Sequence, residues 1–469
     1  MARNTLDPNA VLGKYHWGLT KPYGVQIETV KHLISNPRAY CLNAMGTGKT
    51  FCTLAAYDVL RLSGRVNKAL VIAPLSTLKF AWVAEIIKSF PHLRVEVLHG
   101  TKAKRLKTLA IDADLYIINH DGFDTIKDAI YKKPDIDLLV LDELAAYRNG
   151  SAGRTKLIRD YAKYIPYVWG LTGAPMPRNV TDVWAQCSII TPHTVPKYFK
   201  HCLYALCEKD GPFSWVARPG AIERAVAMMS PSVRYSLDDV IELPDQIITY
   251  VPTDMGPKQT EIYNAMRNKA VAMVGTAKID ALNAGAVLSK LLQIAIGWVY
   301  ARDGTIVTLD NNARIAAIID AVEASEGKVL VFLPFKSALA AIGEVLKKTG
   351  IKYAVVSGDT PAGQRNIIFD AFQNRDPDLK VLLAHPACLA HGITLTAANT
   401  VIWGGPVTSL EIFNQACARI RRIGQTKKQY IIMLGGTVVE RKIYSLLGAN
   451  DQTQQHFLQL LSIVTAEAA

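Results

Sequence analysis

Short runs of Val, Ile and Leu recur along this chain in two separate series, and a stretch of helical periodicity follows most of them. The first series is Tyr40–Asn43, Ala69–Ala73, Val95–His99, Leu115–Asn119, Leu138–Asp142 and Val168–Thr172. The second is Lys328–Leu333, Lys352–Val356, Val381–His385, Val401–Trp403 and Tyr430–Leu434. Runs without clean apolar–polar alternation suit strands buried on both faces, and strands alternating with helices build parallel sheets. The expected fold class is therefore α/β, in two lobes. A chain of 469 residues is too long for one core. Between the series the pattern turns helical and aromatic, and is punctuated by Pro192, Pro196, Pro212, Pro219, Pro231, Pro244, Pro252 and Pro257. The expected division is an N-terminal segment 1–22, a first lobe 23–190, a helical connector and insertion 191–312, and a second lobe 313–469. The tail after Val438 is expected to be helical and to pack back on the body.

The first run leads directly into Ala44-Met45-Gly46-Thr47-Gly48-Lys49-Thr50, after which a helical pattern extends from Phe51 to Leu62. A strand, then glycines, then Lys-Thr and a helix describe a phosphate cradle. Gly46, Thr47 and Gly48 let backbone N–H groups close around a polyphosphate. Lys49 neutralises its β and γ oxygens, and the Thr50 hydroxyl ligates Mg²⁺. The strict pattern asks for glycine at position 43, where this chain has Asn43. About ninety residues on, a buried-strand pattern ends in Asp142-Glu143. After a phosphate loop, such a pair reads as the Mg²⁺ ligand followed by the group that polarises the attacking water. A capped strand end is the plainer alternative.

Lys and Arg number 53 against 40 Asp and Glu, a net charge of +13. That excess favours a polyanionic partner, nucleic acid before membrane. The seven cysteines are scattered, form no Cys-x-x-Cys pair and read as buried thiols of a cytosolic protein. No signal-peptide core opens the sequence and no apolar run approaches membrane-spanning length. The expectation is a soluble cytoplasmic protein.

With these motifs in order, the chain resembles the superfamily 2 helicases, and within them the SWI/SNF-type double-stranded DNA translocases. The resemblance extends from about Pro22 to Leu447. Leu70–Ser76 with Trp82 and Glu85 looks like the family's second motif, and Leu171–Asn179 is similar to its Leu-Thr-Gly-Thr-Pro element. Val233-Arg234 to Leu243-Pro244, with Lys258-Gln259 and Tyr263, resembles the stretch joining its lobes. The most specific match is Gln415-Ala-Cys-Ala-Arg419-Ile-Arg421-Arg422-Ile-Gly424-Gln425. The family writes it as a helix, on which Arg419 and Arg422, three apart, share one face. A basic solvated helix is the competing reading, and it fits Arg421.

The resemblance implies two tandem RecA-like lobes that hydrolyse ATP with Mg²⁺ in the cleft between them. It gives Lys49, Glu143, Arg419 and Arg422 catalytic roles, the two arginines reaching the γ-phosphate. Gln26 resembles the family's adenine-reading glutamine, although an exposed polar residue opening a helix would look the same. Gly392 and Gln415 join the nucleotide set, and Thr50 and Asp142 the metal set. Ser76, Lys79, Asn119, His120, Ser357, Gly358 and Thr394 match positions that grip a nucleic-acid backbone, though each taken singly could be surface decoration. The implied function is an ATP-dependent translocase on double-stranded DNA, monomeric, in a minimal form typical of bacteria and their viruses, with branched DNA or RNA as other substrates. A strand-separating or branch-remodelling helicase and an ATP-switched clamp are the alternatives. Two departures limit the carry-over: Leu144-Ala145 follows Asp142-Glu143 where the family ends this motif in His, and Trp403-Gly404-Gly405-Pro406 replaces a Trp-Asn-Pro loop.

Overall fold

The computed structural model describes residues 7–18, 21–177, 179–211, 215–276, 281–301, 303, 305–389 and 393–448. The chain divides into two compact units, residues 1–242 with 391–393, and residues 243–390 with 394–469. Each unit is built on one parallel sheet.

In the first unit the strands are β1 (Arg38–Cys41), β2 (Lys68–Ala73), β3 (Val95–Leu98), β4 (Leu115–Asn119), β5 (Ile136–Asp142), β6 (Tyr167–Leu171), a small hairpin of β7 (Cys207–Lys209) and β8 (Trp215–Ala217), and β9 (Ser232–Val233). The main sheet runs β3-β4-β2-β5-β6-β1-β9, parallel throughout. Its interior strands are buried on both faces, with Leu70, Val71, Ile72, Leu139, Val140 and Leu141 all out of solvent. The unbroken apolar runs follow from this two-sided burial.

The second unit holds β10 (Gln246–Pro252), the hairpin β11 (Trp298–Tyr300) and β12 (Ile306–Thr308), β13 (Lys328–Phe332), β14 (Tyr353–Val356), β15 (Val381–Ala384), β16 (Ala398–Trp403) and β17 (Gln429–Gly435). Its sheet runs β10-β17-β16-β13-β15-β14, again parallel. All eleven anticipated runs are strands, with ends shifted by up to three residues. Residues 191–312 supply helices and also edge strands, which hydropathy does not reveal. β9 is two residues long, and β10 is largely exposed. The described part of the tail is the helix Val438–Gly448; the rest of the expected helix lies outside the described residues.

Arg314 and Glu440 form an ion pair in the second unit, 2.9 Å apart and essentially without solvent exposure. The Arg314 guanidinium also donates to the carbonyls of Gly404 (2.7 Å) and Leu434 (3.3 Å). Glu440 Oε2 accepts the N–H groups of Gly436 and Thr437 and the Thr437 hydroxyl. Thus the pair fastens the ends of β16 and β17 to the helix Val438–Gly448. The departure at Gly404-Gly405 goes with close packing of this turn. A Cβ would lie 2.4 Å from Leu333 at Gly404 and 2.2 Å from Ile296 at Gly405, so this turn is packed too closely for side chains. Removing one buried partner strands the other charge, so Arg314→Met should cost about 3–5 kcal/mol in urea unfolding of the second unit. Pairing it with Glu440→Leu should recover only part of that loss, because the uncompensated charge is gone but the Gly404 and Leu434 carbonyls and the Gly436 and Thr437 N–H groups lose their partners.

Candidate nucleotide site and nucleic-acid contacts

The chain leaves β1 at Cys41, turns through residues 42–48 and enters the helix Lys49–Leu62. Gly46 (φ +83°) and Gly48 (φ +87°) adopt the left-handed conformation that makes this turn possible. Gly48 is constrained a second time, since a Cβ there would meet Gln26 Nε2 at 2.4 Å. Gln26 is only 6% exposed. Its amide donates to the Thr47 carbonyl (3.0 Å), and its Oε1 accepts the Tyr23 N–H (3.0 Å). Gln26 is therefore built into the loop and is not an exposed residue opening a helix. Lys49 Nζ donates to the carbonyls of Asn43 (2.8 Å) and Ala44 (3.0 Å). Thr50 is the second residue of the helix whose N-terminus faces the loop.

Strand register brings the acidic pair alongside. Cys41 pairs with Leu171 on β6, and Leu171 pairs with Asp142 on β5. At the usual interstrand spacing, Asp142 stands about 10 Å from the residue that begins the loop. Asp142 Oδ2 accepts from the Trp82 indole N–H (2.9 Å) and Oδ1 from the Glu143 N–H (3.0 Å). Burial pushes the Asp142 carboxyl above its usual range, opposed by the Trp82 bond and by the charge of Lys49. A hydroxyl and a desolvated carboxylate beside a phosphate loop are hard oxygen donors of the kind Mg²⁺ takes when substrate phosphates complete its shell. The donor set fits the ion. Among the described residues no cluster of three or more His, Cys, Asp or Glu could hold a metal without a substrate.

Glu143 is the one described non-glycine residue with positive φ, +54°. Such a conformation costs on the order of 1–3 kcal/mol and persists only where the surroundings enforce it. Immediately beyond, Leu144 and Ala145 are buried, and Leu144 packs so closely on Gly170 that a Cβ there would clash at 2.6 Å. This accounts for the departure from His at this motif's end: the position packs a core. A polar link does exist nearby, where His120 Nδ1 and the Tyr147 hydroxyl are 2.8 Å apart.

Several expected backbone-gripping residues lie at strand ends of the first unit. Ser76 and Lys79 are exposed after β2. Asn119 closes β4, and its Oδ1 accepts from Arg105 (3.1 Å). Lys79, Lys104 and Arg105 gather around His99, whose pKa burial chiefly, and these cations next, hold below the usual histidine range. Arg105 is buried and spent on the carbonyls of Leu98 and Gly100 besides Asn119, whereas Lys104 is exposed and escaped the motif reading because it stands between motifs, where only the local charge signals it.

In the second unit Ser357 and Gly358 follow β14, and the Gly358 carbonyl accepts from Arg365 (3.0 Å). The expected helix carrying both arginines ends early, at Cys417, so Arg419 and Arg422 do not share a helix face. They stand in the turns that follow, and each caps a carbonyl four residues back: Arg419 Nε donates to Gln415 (2.8 Å) and Arg422 Nε to Ala418 (3.1 Å). The orphan carbonyls of a helix end are satisfied in this way. Arg422 also donates to the Thr394 hydroxyl (3.0 Å), and burial lowers its pKa to about 10. Gln425 binds the carbonyls of Thr396, Ala398 and Ile420, which fixes this turn to the segment before β16. Gln415 is buried and its amide donates to Glu411 (3.4 Å). Gly392 lies outside the described residues.

The SNF2-related domain model matches residues 26–296, and the helicase conserved C-terminal domain model matches residues 313–424. Protein p41 of the Acyrthosiphon pisum secondary endosymbiont phage 1 is 27% identical over 427 residues, covering 87% of this chain and 89% of its own. An uncharacterized ATP-dependent helicase of Mycoplasma genitalium is 26% identical over 413 residues, covering 85% of this chain but 38% of that protein. Among solved structures, the Sulfolobus solfataricus SWI2/SNF2 ATPase core in complex with dsDNA is 23% identical, with 95% of this chain and 93% of that chain covered at a TM-score of 0.44. No described helix is long and apolar enough to cross a membrane.

Gly48→Ala should lower the thermal midpoint by more than Gly64→Ala. Both glycines have positive φ, about 1 kcal/mol or more of strain for alanine, but only Gly48 also meets a neighbour. Circular-dichroism melts of the two variants measure the difference.

Proposed function

The chain belongs to the SNF2-related family and is an ATP-hydrolysing enzyme of the helicase class, and from that premise we propose that it is a translocase on double-stranded DNA. The observation that carries the reading is the register linking Cys41, Leu171 and Asp142, which sets the glycine-bounded loop and Lys49 beside a desolvated carboxylate. In this reading Lys49 and the loop N–H groups hold the phosphates, and Gln26 reads the base by exchanging its bonds to Thr47 and Tyr23 for the base edge. Thr50 and Asp142 hold Mg²⁺, which supplies charge neutralisation at the β and γ oxygens when bound.

Glu143, fixed by its unusual backbone, orients and polarises the attacking water. Arg419 and Arg422 act on the transferred phosphoryl, with Gln415 and Gly392 completing the nucleotide contacts. Burial of Arg419 favours this role, because a desolvated guanidinium gains most from an anion. The lobes are assigned as 23–190 and 313–469, with 191–312 between them. Ser76, Lys79, Asn119, His120, Ser357, Gly358 and Thr394 contact the DNA backbone. Such contacts carry no sequence information, and together with the net charge of +13 they favour salt-sensitive, sequence-independent binding.

Steady-state ATPase assays with no nucleic acid, blunt duplex DNA, single-stranded DNA, forked DNA and duplex RNA test the proposal. Blunt duplex should stimulate most. Stimulation by forks or single strands alone would overturn translocation on duplex in favour of strand separation or branch remodelling. Lys49→Ala and Glu143→Gln should each lower turnover by about 10³-fold or more while duplex binding by fluorescence anisotropy stays within about threefold. Either variant hydrolysing ATP at the parental rate would refute the site assignment.

A further inference from the structure

Asn43, where a glycine was expected, is 2% exposed and uses both ends of its amide. Its Nδ2 donates to Thr29 Oγ1 (2.9 Å) on the helix Gly24–Ser35, and its Oδ1 accepts the backbone N–H of Tyr235 (2.9 Å). The surroundings dictate that orientation. The Thr29 hydroxyl proton is already committed to the Val25 carbonyl (2.8 Å), so Thr29 offers only lone pairs, whereas Tyr235 offers only an N–H. A glycine would leave both unsatisfied. An ionised Asp would set an oxygen against the lone pairs of Thr29. Only a side chain that accepts on one side and donates on the other fits.

The main chain of Asn43 is engaged as well, because its carbonyl accepts the Lys49 ammonium at 2.8 Å. On the other side lies the segment running out of the first unit. Tyr40 N–H binds the Pro231 carbonyl (3.0 Å), Leu42 N–H binds Val233 (2.8 Å) and Ala44 N–H binds Tyr235 (2.8 Å), so residues 231–235 are laced along the strand and loop. Seven residues past Tyr235 the chain passes from the first unit to the second, between Glu242 and Leu243. One residue thus touches the phosphate-binding lysine through its carbonyl and the exit segment through its side chain.

We propose that Asn43 is a positioning residue that transmits occupancy of the phosphate loop to the exit segment Ser232–Tyr235, and so to the chain entering the second unit. A polyphosphate that draws the Lys49 ammonium to its own oxygens removes that partner from the Asn43 and Ala44 carbonyls. The peptide units bearing those carbonyls then relax, and the exit segment moves with them because the Tyr235 N–H and carbonyl are bonded to the same two residues. The proposal rests on nucleotide binding at this loop.

Hydrogen–deuterium exchange of the full chain, with and without Mg·ADP and Mg·AMPPNP, tests it at two peptides. Protection of residues 44–50 reports nucleotide binding itself; its absence in the parental protein would remove the reading on which the proposal rests. With binding established, the amides of residues 233–237 should change exchange by about fivefold on adding nucleotide, as expected for making or losing one hydrogen bond. In Asn43→Ala that response should fall severalfold, because only the Ala44 N–H bond to the Tyr235 carbonyl remains, and in Asn43→Asp, which keeps an acceptor for the Tyr235 N–H, it should fall less, while the 44–50 peptide is still protected at saturating nucleotide. Thr29→Val, which keeps shape and removes the acceptor of the amide together with the hydroxyl's bond to the Val25 carbonyl, should weaken the response without abolishing it, and serves if the Asn43 variants do not fold. An exit segment that ignores nucleotide in the parental protein, or responds equally in the Asn43 variants, would overturn the proposal.

Discussion

The nucleotide loop holds its shape because one helix face grips it at two points. Gln26 and Thr29, three residues apart on the helix Gly24–Ser35, lie on the same side, and they bind Thr47 and Asn43, on either side of the turn. Gly46 bends the backbone between these anchors and Gly48 just beyond them, and Lys49 folds over the carbonyls of Asn43 and Ala44. Buried amides in fully paired positions are expensive to disturb, since each lost partner leaves a desolvated polar atom. The loop is consequently anchored at both ends before any anion arrives, as binding by oriented N–H groups demands.

The acidic side of the site depends on the sheet. Parallel strands in register bring Asp142 level with the end of β1, and the Trp82 indole then holds one carboxylate oxygen in place. Desolvation by the same packing makes that carboxylate a poor solitary anion and a good partner for a cation. In the second unit the equivalent economy is seen in the turn after Cys417, where each arginine caps a carbonyl and Gln425 ties the turn to three more. Both units therefore use side chains of the functional motifs to satisfy backbone groups that the fold leaves open.

Much of this was legible in the residues, and the exceptions have physical causes. The apolar runs marked the interior strands of both sheets because burial on both faces leaves few polar positions to confuse the pattern. β9 and β10 escaped notice, the first because two residues carry no periodicity and the second because it is an exposed edge. The motif around Arg419 read as continuous helix, since none of its residues breaks one before Gly424. Beyond the actual end at Cys417 the turn is bonded to a distant segment, the Leu395 N–H to the Arg419 carbonyl and Gln425 to the Thr396 and Ala398 carbonyls, which no local propensity encodes. Asn43 looked like a defect in a glycine pattern because its partners, Thr29 and Tyr235, are 14 and 192 residues away.

What the sequence determined alone was the order of chemistry along the chain: loop glycines, Lys49-Thr50, Asp142-Glu143 and the arginine motif, together with the two-sheet class that spaces them. These follow from local rules, the periodicity of burial and the backbone needs of a phosphate turn. Only the tertiary structure decided which of these groups stand free to act and which are held. It buried Gln26 against Thr47, gave Glu143 its left-handed backbone, packed Leu144 and Ala145 into a core and joined the phosphate loop to the exit segment through Asn43. Hydrogen bonds between distant segments form only once the sheet register is set, so their outcome is a property of the fold.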